Sequence, residues 1–483
     1  MDRRVAFERI PAPARRALAL LAELGGPDRA MWLVGGALRE LLTGRAVADL
    51  DVAVADGALD LGRRLADRLG ASFAVLDARR GAGRVIAPTE ALQIDLVDFR
   101  ARTLEGDLRA RDFTVNALAA RLADLLADGS AAIVDPTGGL ADLRDRVVRP
   151  CGAASITDDP LRALRGVRLA LRPGWRLDRS AEAAIATAAA RVTAVAAERL
   201  RDELIGILSE PRAAAGLRLL DRLGVLPELL PESGPMRATP QPLPHHFDVW
   251  EHSLRAVEGM DLLLDDLDAL APWGPTLRDH LAEDLGDRMT RREALKLAAL
   301  LHDVAKPETR SEAGGRVHFF GHDTVGASRA AVVARRLRLS RRATGALERL
   351  VAEHLRPMHL AQAGEITRRA SFRFFRALGE EAPDLLLLSL ADASALSGVS
   401  PVAVWRGGAG ALVRALLASA ETRGPAAPRP LLRGEDVMEA FGLSPGPEVG
   451  RLLEQAREAQ ALGLVRTREE ALAHLRRAGD PPT

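Results

Sequence analysis

Asp49 and Asp51 are the residues whose type and spacing speak most directly of chemistry. They stand in LVGGALRELLTGRAVADLDVAVA, at the head of an apolar run. In a strand, residues i and i+2 point to one face, so the two carboxylates project side by side. Unscreened they repel, and one of them is driven towards its protonated form. Divalent cations relieve that conflict, and two Mg²⁺ ions roughly 4 Å apart suit displacement of pyrophosphate by a hydroxyl. A third carboxylate is expected from a neighbouring strand. LQIDLVDFR offers Asp95 among apolar neighbours, with Asp98 the weaker candidate. Upstream, Gly35 and Gly36 lie between an apolar strand and a helix expected to start at Ala37. Bare backbone there, with the free N–H groups of a helix start, can approach a phosphate.

A second constellation is built on imidazole. All but one of the ten histidines fall between His245 and His359. His252 sits on an expected helix, and His302-Asp303 sits at the end of an apolar helix that Pro307 should terminate. His322, His354 and Asp392 follow in order. Such nitrogen and oxygen donors suit Mn, Fe, Ni, Mg or Zn. A lone histidine on an apolar helix is usually a core residue, but a series in this order implies a metal centre.

Elements able to position these groups can be read from the periodicity. MWLVGG, LDVAVA, SFAVLD, GRVIA and LQIDLVDF are β-rich and bounded by Gly, Pro or Asp, with amphipathic helices between them. Residues 1–150 therefore read as one mixed region of strands and helices. Residues 151–235 are helical. There, Thr157, Asp158 and Asp159 ahead of Pro160 resemble an N-cap followed by proline in the first turn. ESGPMRATPQPLPHH reads as a linker. Residues 245–400 and 401–483 are helical again, the last ending in a polar tail. The expected class is α+β: a small mixed sheet with helices, then helical regions only.

With 483 residues, several domains are expected. A net charge of +1 gives no global electrostatic case for nucleic acid, so any RNA-binding surface must be local. Lys296 and Lys306 are the only lysines, and arginine carries nearly all positive charge. The single cysteine, Cys151, excludes an intramolecular disulfide and a cysteine zinc site. The start lacks the apolar core of a signal peptide, and no apolar run is long enough to span a bilayer. The expectation is a cytoplasmic protein with no membrane partner.

GGALRELLTGRAVADLDV resembles the signature of class II tRNA nucleotidyltransferases and bacterial poly(A) polymerases, a branch of the polymerase β-like superfamily. Arg39-Glu40 departs from the usual Arg-Asp but keeps its charges. LEGDLRARDFTVNALA is similar to the ribose-recognition motif through Arg111, Asp112 and Asn116, with Ala110 in place of the usual first arginine and Arg109 beside it. VDPTGGLADLRDRVVRP is similar to the link from catalytic head to neck, and AAERLRDELIGIL to a later motif. DDPLRALRGVRLA resembles the neck helix that selects the base. The resemblance puts Asp159 and Arg162 in the base-reading positions, with Arg165 on the same face. A protein template for C or A needs donors in a fixed fork, which arginine supplies and lysine does not.

The histidine series resembles the HD phosphohydrolase domain. That resemblance assigns His252, His302, Asp303 and Asp392 to one metal, His322 and His354 to a second, and Lys306 to phosphate. The metal is Mg²⁺ or a divalent transition metal. Together the resemblances imply a head with catalytic Asp49, Asp51 and Asp95, and a nucleotide site of Gly35, Gly36, Arg39, Arg111, Asp112, Asn116, Asp159, Arg162 and Arg165. They also imply CTP, ATP and a tRNA or other RNA 3′ end as partners. CCA addition with HD phosphohydrolysis is the leading expectation. Poly(A) synthesis, CC- or A-addition alone, and an HD hydrolase with an RNA-binding head are the alternatives.

Overall fold

The apolar runs singled out above all form strands. In the computed structural model, which describes residues 3–45, 47, 49–87, 92–364, 366–421 and 430–479, the strands are β1 (Arg4–Ala6), β2 (Met31–Val34), β3 (Asp49–Val54), β4 (Ser72–Asp77), β5 (Ala82–Ala87), β6 (Leu92–Asp98), β7 (Ala119–Arg121) and β8 (Ser130–Val134). They make one eight-stranded sheet in the order β1-β8-β7-β2-β3-β6-β5-β4. Only β3 and β6 pair in parallel; the other neighbours are antiparallel. The crossover between β3 and β6 includes the helix Ala58–Leu69, which packs on β5 and β6. Along β6, Leu92, Ile94 and Leu96 are buried, whereas Asp95 is on the alternate, half-open side. That alternation delivers Asp95 beside Asp51, its direct partner in the ladder.

The chain divides into two compact units, Met1–Glu210 with Gly216–Leu229, and Pro211–Ala215 with Leu230–Thr483. Beyond the sheet and a short parallel pair, Val147–Val148 with Arg176–Leu177, the first unit is helical, with Ser155–Asp158, Arg162–Ala170 and Ala197–Leu208 nearest the site. The second is almost wholly helical. Val249–Asp265 packs against Arg291–Leu301 and Ala382–Ser397, and His322–Arg336 packs against Arg341–Glu353. The helix Arg291–Leu301 starts with a capping box, Thr290 and Glu293 satisfying each other's backbone N–H groups. A last group of helices, Gly434–Phe441, Pro447–Ala461 and Arg468–Gly479, closes around Val437, Leu452, Ala471 and Leu475. Residues 480–483 of the expected polar tail lie outside the described residues. No helix among those described is long and apolar enough to cross a membrane.

Some local expectations are corrected. The glycine helix spans Gly35–Leu42, starting two residues before Ala37. Helix Arg162–Ala170 starts after Pro160 and Leu161, so Thr157 is no N-cap; its hydroxyl donates to the Ala154 carbonyl. Pro307 does not end the His302 helix, which stops at Leu301; it opens the next one, Lys306–Thr309, where a missing N–H costs nothing. The proline-rich linker contains the helix Ser233–Arg237 and buries Met236 and Thr239.

Candidate active sites

The first site lies at the amino end of β3. Asp49 is exposed and Asp51 half-buried, on the same face of the strand. Asp95 stands opposite Asp51, and Arg84 of β5 grips both of its oxygens, at 2.7 and 2.8 Å. Such a bidentate fork is among the stronger charge-assisted pairs. Burial and the charge of Asp95 push the Asp51 carboxyl up to about 6, against the opposing pull of Arg111 and the Gly36 N–H. Gly35 explains why a bare backbone is needed here. Its φ is +71°, and a Cβ on it would come within 2.8 Å of Asp51 Oδ2.

Behind the carboxylates runs a continuous set of ion pairs. Arg39 donates to Asn116 Oδ1 and, at 2.7 Å, to Glu40, which also accepts from Arg172 at 2.6 Å. Glu40 thus bridges two arginines, a use that its longer side chain serves as well as an aspartate would. Asn116 donates to Asp112 at 3.0 Å, and Arg165 donates to the other Asp112 oxygen at 3.2 Å. Burial works against the Asp112 carboxylate, but Arg165 and the Asn116 and Phe113 N–H groups outweigh it and hold the group down at about 2. Arg111 is fixed by Asp107, a fully buried carboxylate that also accepts from Arg100.

An open cleft of about 680 Å³ adjoins this set. Arg79, Arg80, Arg100, Arg109, Arg111 and Arg162 line it, with Asp98, Ala110, Ser155 and Asp158. Arg109 therefore reaches the cleft that the Ala110 departure leaves short of one arginine. Asp98 also accepts from the Ala58 N–H at the start of a helix. Arg162 donates to the carbonyls of Ala110, Arg111 and Ser155, each at 3.2 Å, so it braces the cleft wall. Asp159 does not line the cleft. Its carboxylate accepts from Arg199 at 2.9 Å, and the neighbouring Asp158 is the acid at the rim. Arg165 and Arg168 share Glu203, which makes them part of the helix packing.

The second site gathers every histidine and aspartate of the expected HD set. Two triplets of donor atoms converge among the described residues: His252, His302 and Asp392, and Asp303, His322 and His354. Asp303 joins them. Its Oδ2 is 3.2 Å from His302 Nε2, and its Oδ1 is 3.3 Å from His322 Nε2 and 3.7 Å from His354 Nε2. Asp392, the most open member, is 2.9 Å from His252 Nε2.

The donor set fits a divalent metal for a specific reason. His302, His322 and His354 each bond through Nδ1 to the carbonyl three residues back, at 2.9, 2.7 and 2.7 Å. Those bonds turn Nδ1 to the backbone and Nε2 inward, so that each Nε2 would supply its lone pair to a metal once its ring is neutral. His302 Nε2 is buried with the Asp303 carboxylate beside it, at 3.2 Å, and the His322 and His354 Nε2 atoms face each other at 3.2 Å. Two lone pairs at that distance call for a cation. Burial and the His302 charge push His354 down to about 4; burial also opposes the charged His302 ring, but Asp303 and Asp392 lift it to about 9.

Lys306 is spent inside this cluster. Its amine is 2.6 Å from Asp303 Oδ2 and donates to Gln241 Oε1 at 2.7 Å. Gln241 comes from the segment read as a linker, as does His245, whose ring packs edge-on against His252 with centroids 5.2 Å apart. Sequence reasoning missed both, together with Arg84 and Asp107. The paired His245-His246 was the only signal available.

Known proteins bear on these sites. Residues 31–149 match the family profile described as "Poly A polymerase head domain", 174–235 that of "Probable RNA and SrmB- binding site of polymerase A", and 249–398 that of the "HD domain". An A-adding tRNA nucleotidyltransferase of Deinococcus radiodurans is 38% identical over 92% of this chain and 94% of its own. A CC-adding tRNA nucleotidyltransferase of Thermus thermophilus is also 38% identical, over 92% of each. A solved CCA-adding enzyme with ATP shares the fold, with a TM-score of 0.65 at 20% identity, covering 99% of this chain and 100% of that one. The head, RNA-binding and HD profiles thus follow one another along a chain whose relatives match it nearly end to end, and the chain belongs to the class II tRNA nucleotidyltransferase and bacterial poly(A) polymerase family, with an HD domain.

Proposed function

We propose that the chain transfers nucleotidyl groups from CTP or ATP to the 3′ end of tRNA, using Asp49 and Asp51 as holders of Mg²⁺. The observation that carries this reading is the pair of carboxylates on one strand face, set against Asp95 and beside an arginine-lined cleft. When bound, the ions would neutralise triphosphate charge and make the RNA 3′ hydroxyl a better nucleophile. Arg109 and Arg111 offer rigid forks to phosphate oxygens. Gly35 lets the chain pass close to Asp51, and Arg162 holds the wall against which the base would be read. Asp159, held by Arg199 through one oxygen, keeps acceptor capacity on its carboxylate. An intracellular, cytoplasmic setting goes with this activity.

The Deinococcus and Thermus relatives, each 38% identical and matched over 92% of the chain, are named for adding A alone and CC alone. Addition of C or of A alone is therefore favoured over complete CCA synthesis. The test is incorporation on tRNA ending at the discriminator base, at C and at CC, with each NTP supplied separately. C addition stopping at CC, or a single A added only to CC ends, fits the reading. Unlimited incorporation from ATP alone would identify a poly(A) polymerase instead.

The HD donors support a second activity, hydrolysis of phosphoesters with Mg²⁺ or a divalent transition metal. His302, His322 and His354 present fixed Nε2 donors, Asp303 serves both triplets, and Lys306 stabilises the ionised form of Asp303.

The carboxyl of Asp51 gives incorporation a defined pH dependence. With its pKa raised to about 6, the group is protonated below that pH, and a proton then competes with Mg²⁺. The Mg²⁺ concentration for half-maximal incorporation should rise steeply as pH falls from 7 through about 6, and excess Mg²⁺ should move the acid limb lower. A half-saturating concentration constant from pH 5.5 to 8 would mean that Asp51 is already ionised throughout that range and that its carboxyl is not raised.

A further inference from the structure

Three carboxylates share one face of the sheet, and among the described residues a single arginine is tied directly to any of them. Asp51, Asp95 and Arg84 form one row across β3, β6 and β5, each the ladder partner of the next. Residues paired in this way project to the same face. Arg84 donates from Nε to Asp95 Oδ1 at 2.7 Å and from Nη2 to Asp95 Oδ2 at 2.8 Å. The two side chains are only 19% and 18% exposed, so the fork is partly shielded from water. Arg39 and Arg111 also act on Asp51, but each is hydrogen-bonded to a carboxylate outside the trio, Glu40 and Asp107.

A carboxylate held in this manner is a poor metal ligand for two reasons. The fork takes up about half of the lone-pair sites on its oxygens. The guanidinium also cancels the charge that would draw a cation, and repels any cation brought to the same oxygens. Loss of a proton does not release it, because an arginine in a protein stays charged. All three carboxylates favour that charge, the hydrogen bonds to Asp95 foremost. Asp49 and Asp51 carry no such fork. Mg²⁺ is commonly held by one or two carboxylates together with substrate phosphates, so two suffice.

We propose that Arg84 is a positioning residue that withholds Asp95 from the metal, so that Asp49 and Asp51 are the only carboxylates on the ion and the triphosphate completes its ligands. The proposal rests on the reading of Asp49 and Asp51 as holders of Mg²⁺. Asp95 is then the counter-ion of Arg84 and not the third ligand expected from the sequence.

The test uses the full chain with Mn²⁺ in place of Mg²⁺, bound ion being followed by electron paramagnetic resonance. Ions at the HD centre are common to every variant and drop out of the differences. Arg84→Met frees the Asp95 carboxylate and removes a cation, so Mn²⁺ should bind the head about tenfold more tightly, the lower end of what groups neighbouring a metal's ligands are worth. Arg84→Met combined with Asp95→Asn removes one charge of each sign and should return the affinity to the parent value. Arg84→Lys keeps the charge and should stay near the parent. The Mg²⁺ concentration for half-maximal incorporation should follow the same order. Damage to the sheet would weaken binding in every variant, whereas the proposal requires one that tightens.

A paired variant that binds Mn²⁺ as weakly as Asp51→Asn would make Asp95 a ligand and overturn the proposal. An Arg84→Met chain no tighter than the parent would do the same. Asp51→Asn reports on the underlying reading. Unchanged Mn²⁺ binding there would remove Asp51 from the metal site, and the role of Arg84 with it. Weaker binding there, beside an equally weakened paired variant, would strike the role of Arg84 alone.

Discussion

Replacing Asp51 by alanine should lower incorporation from CTP or ATP by about three orders of magnitude, with phosphoester hydrolysis unchanged. The size follows from charge. A metal that neutralises a developing phosphate charge supplies several kcal/mol of transition-state stabilisation, and each 1.36 kcal/mol is tenfold in rate. Asp51 cannot be covered by a neighbour. Asp95 has both oxygens in the grip of Arg84, and Asp49 is the only other carboxylate on that face of β3. The fold should tolerate the change, because Asp51 is half-buried and its removal relieves the repulsion with Asp95. Asp49→Ala should behave alike, with no gain on removing the more exposed group. Labelled-nucleotide incorporation and nucleotide hydrolysis measured on the same preparation decide the matter. Parallel loss of both activities in a chain that keeps its helical circular dichroism would mean that the two sites are not separate.

The legibility of these sites in the sequence differs for physical reasons. β3 and β6 were readable because period-two alternation and apolar runs report burial directly, and with them came Asp49, Asp51 and Asp95. β1, β7 and β8 were missed because they are three to five residues long and rich in alanine, which carries no strand signal. Arg84 was hidden in an arginine-rich chain, where only the ladder register with Asp95 marks it out. The neck illustrates a different limit. Motif order pointed to Asp159 and Arg162, but not to the partners that hold them, Arg199 and the carbonyls of Ala110, Arg111 and Ser155. The HD ligands were legible as an ordered series of rare residue types. Gln241 and His245 were not, because proline-rich composition says loop and is silent on what the loop touches.

Asp303→Asn should remove more metal binding than any other single change at the HD centre. Each carboxylate oxygen serves a different triplet, Oδ2 towards His302 and Oδ1 towards His322 and His354. The amide keeps the shape and can still accept from Lys306, so the buried lysine retains a partner and the helix ends stay in place. The negative charge shared by the two triplets is lost. Affinity for Mn²⁺ should therefore fall beyond the roughly 10- to 100-fold typical of losing an outer partner, and hydrolysis should fall with it. His354→Ala takes one donor from one triplet only. It should weaken one class of bound ion and spare the other, seen as a halved stoichiometry in Mn²⁺ titrations followed by electron paramagnetic resonance. If Asp303→Asn instead reproduced the His354→Ala titration, the carboxylate would serve a single ion, and the triplets would be one site with spare histidines. Incorporation on tRNA gives the control, since Asp49 and Asp51 belong to the other compact unit.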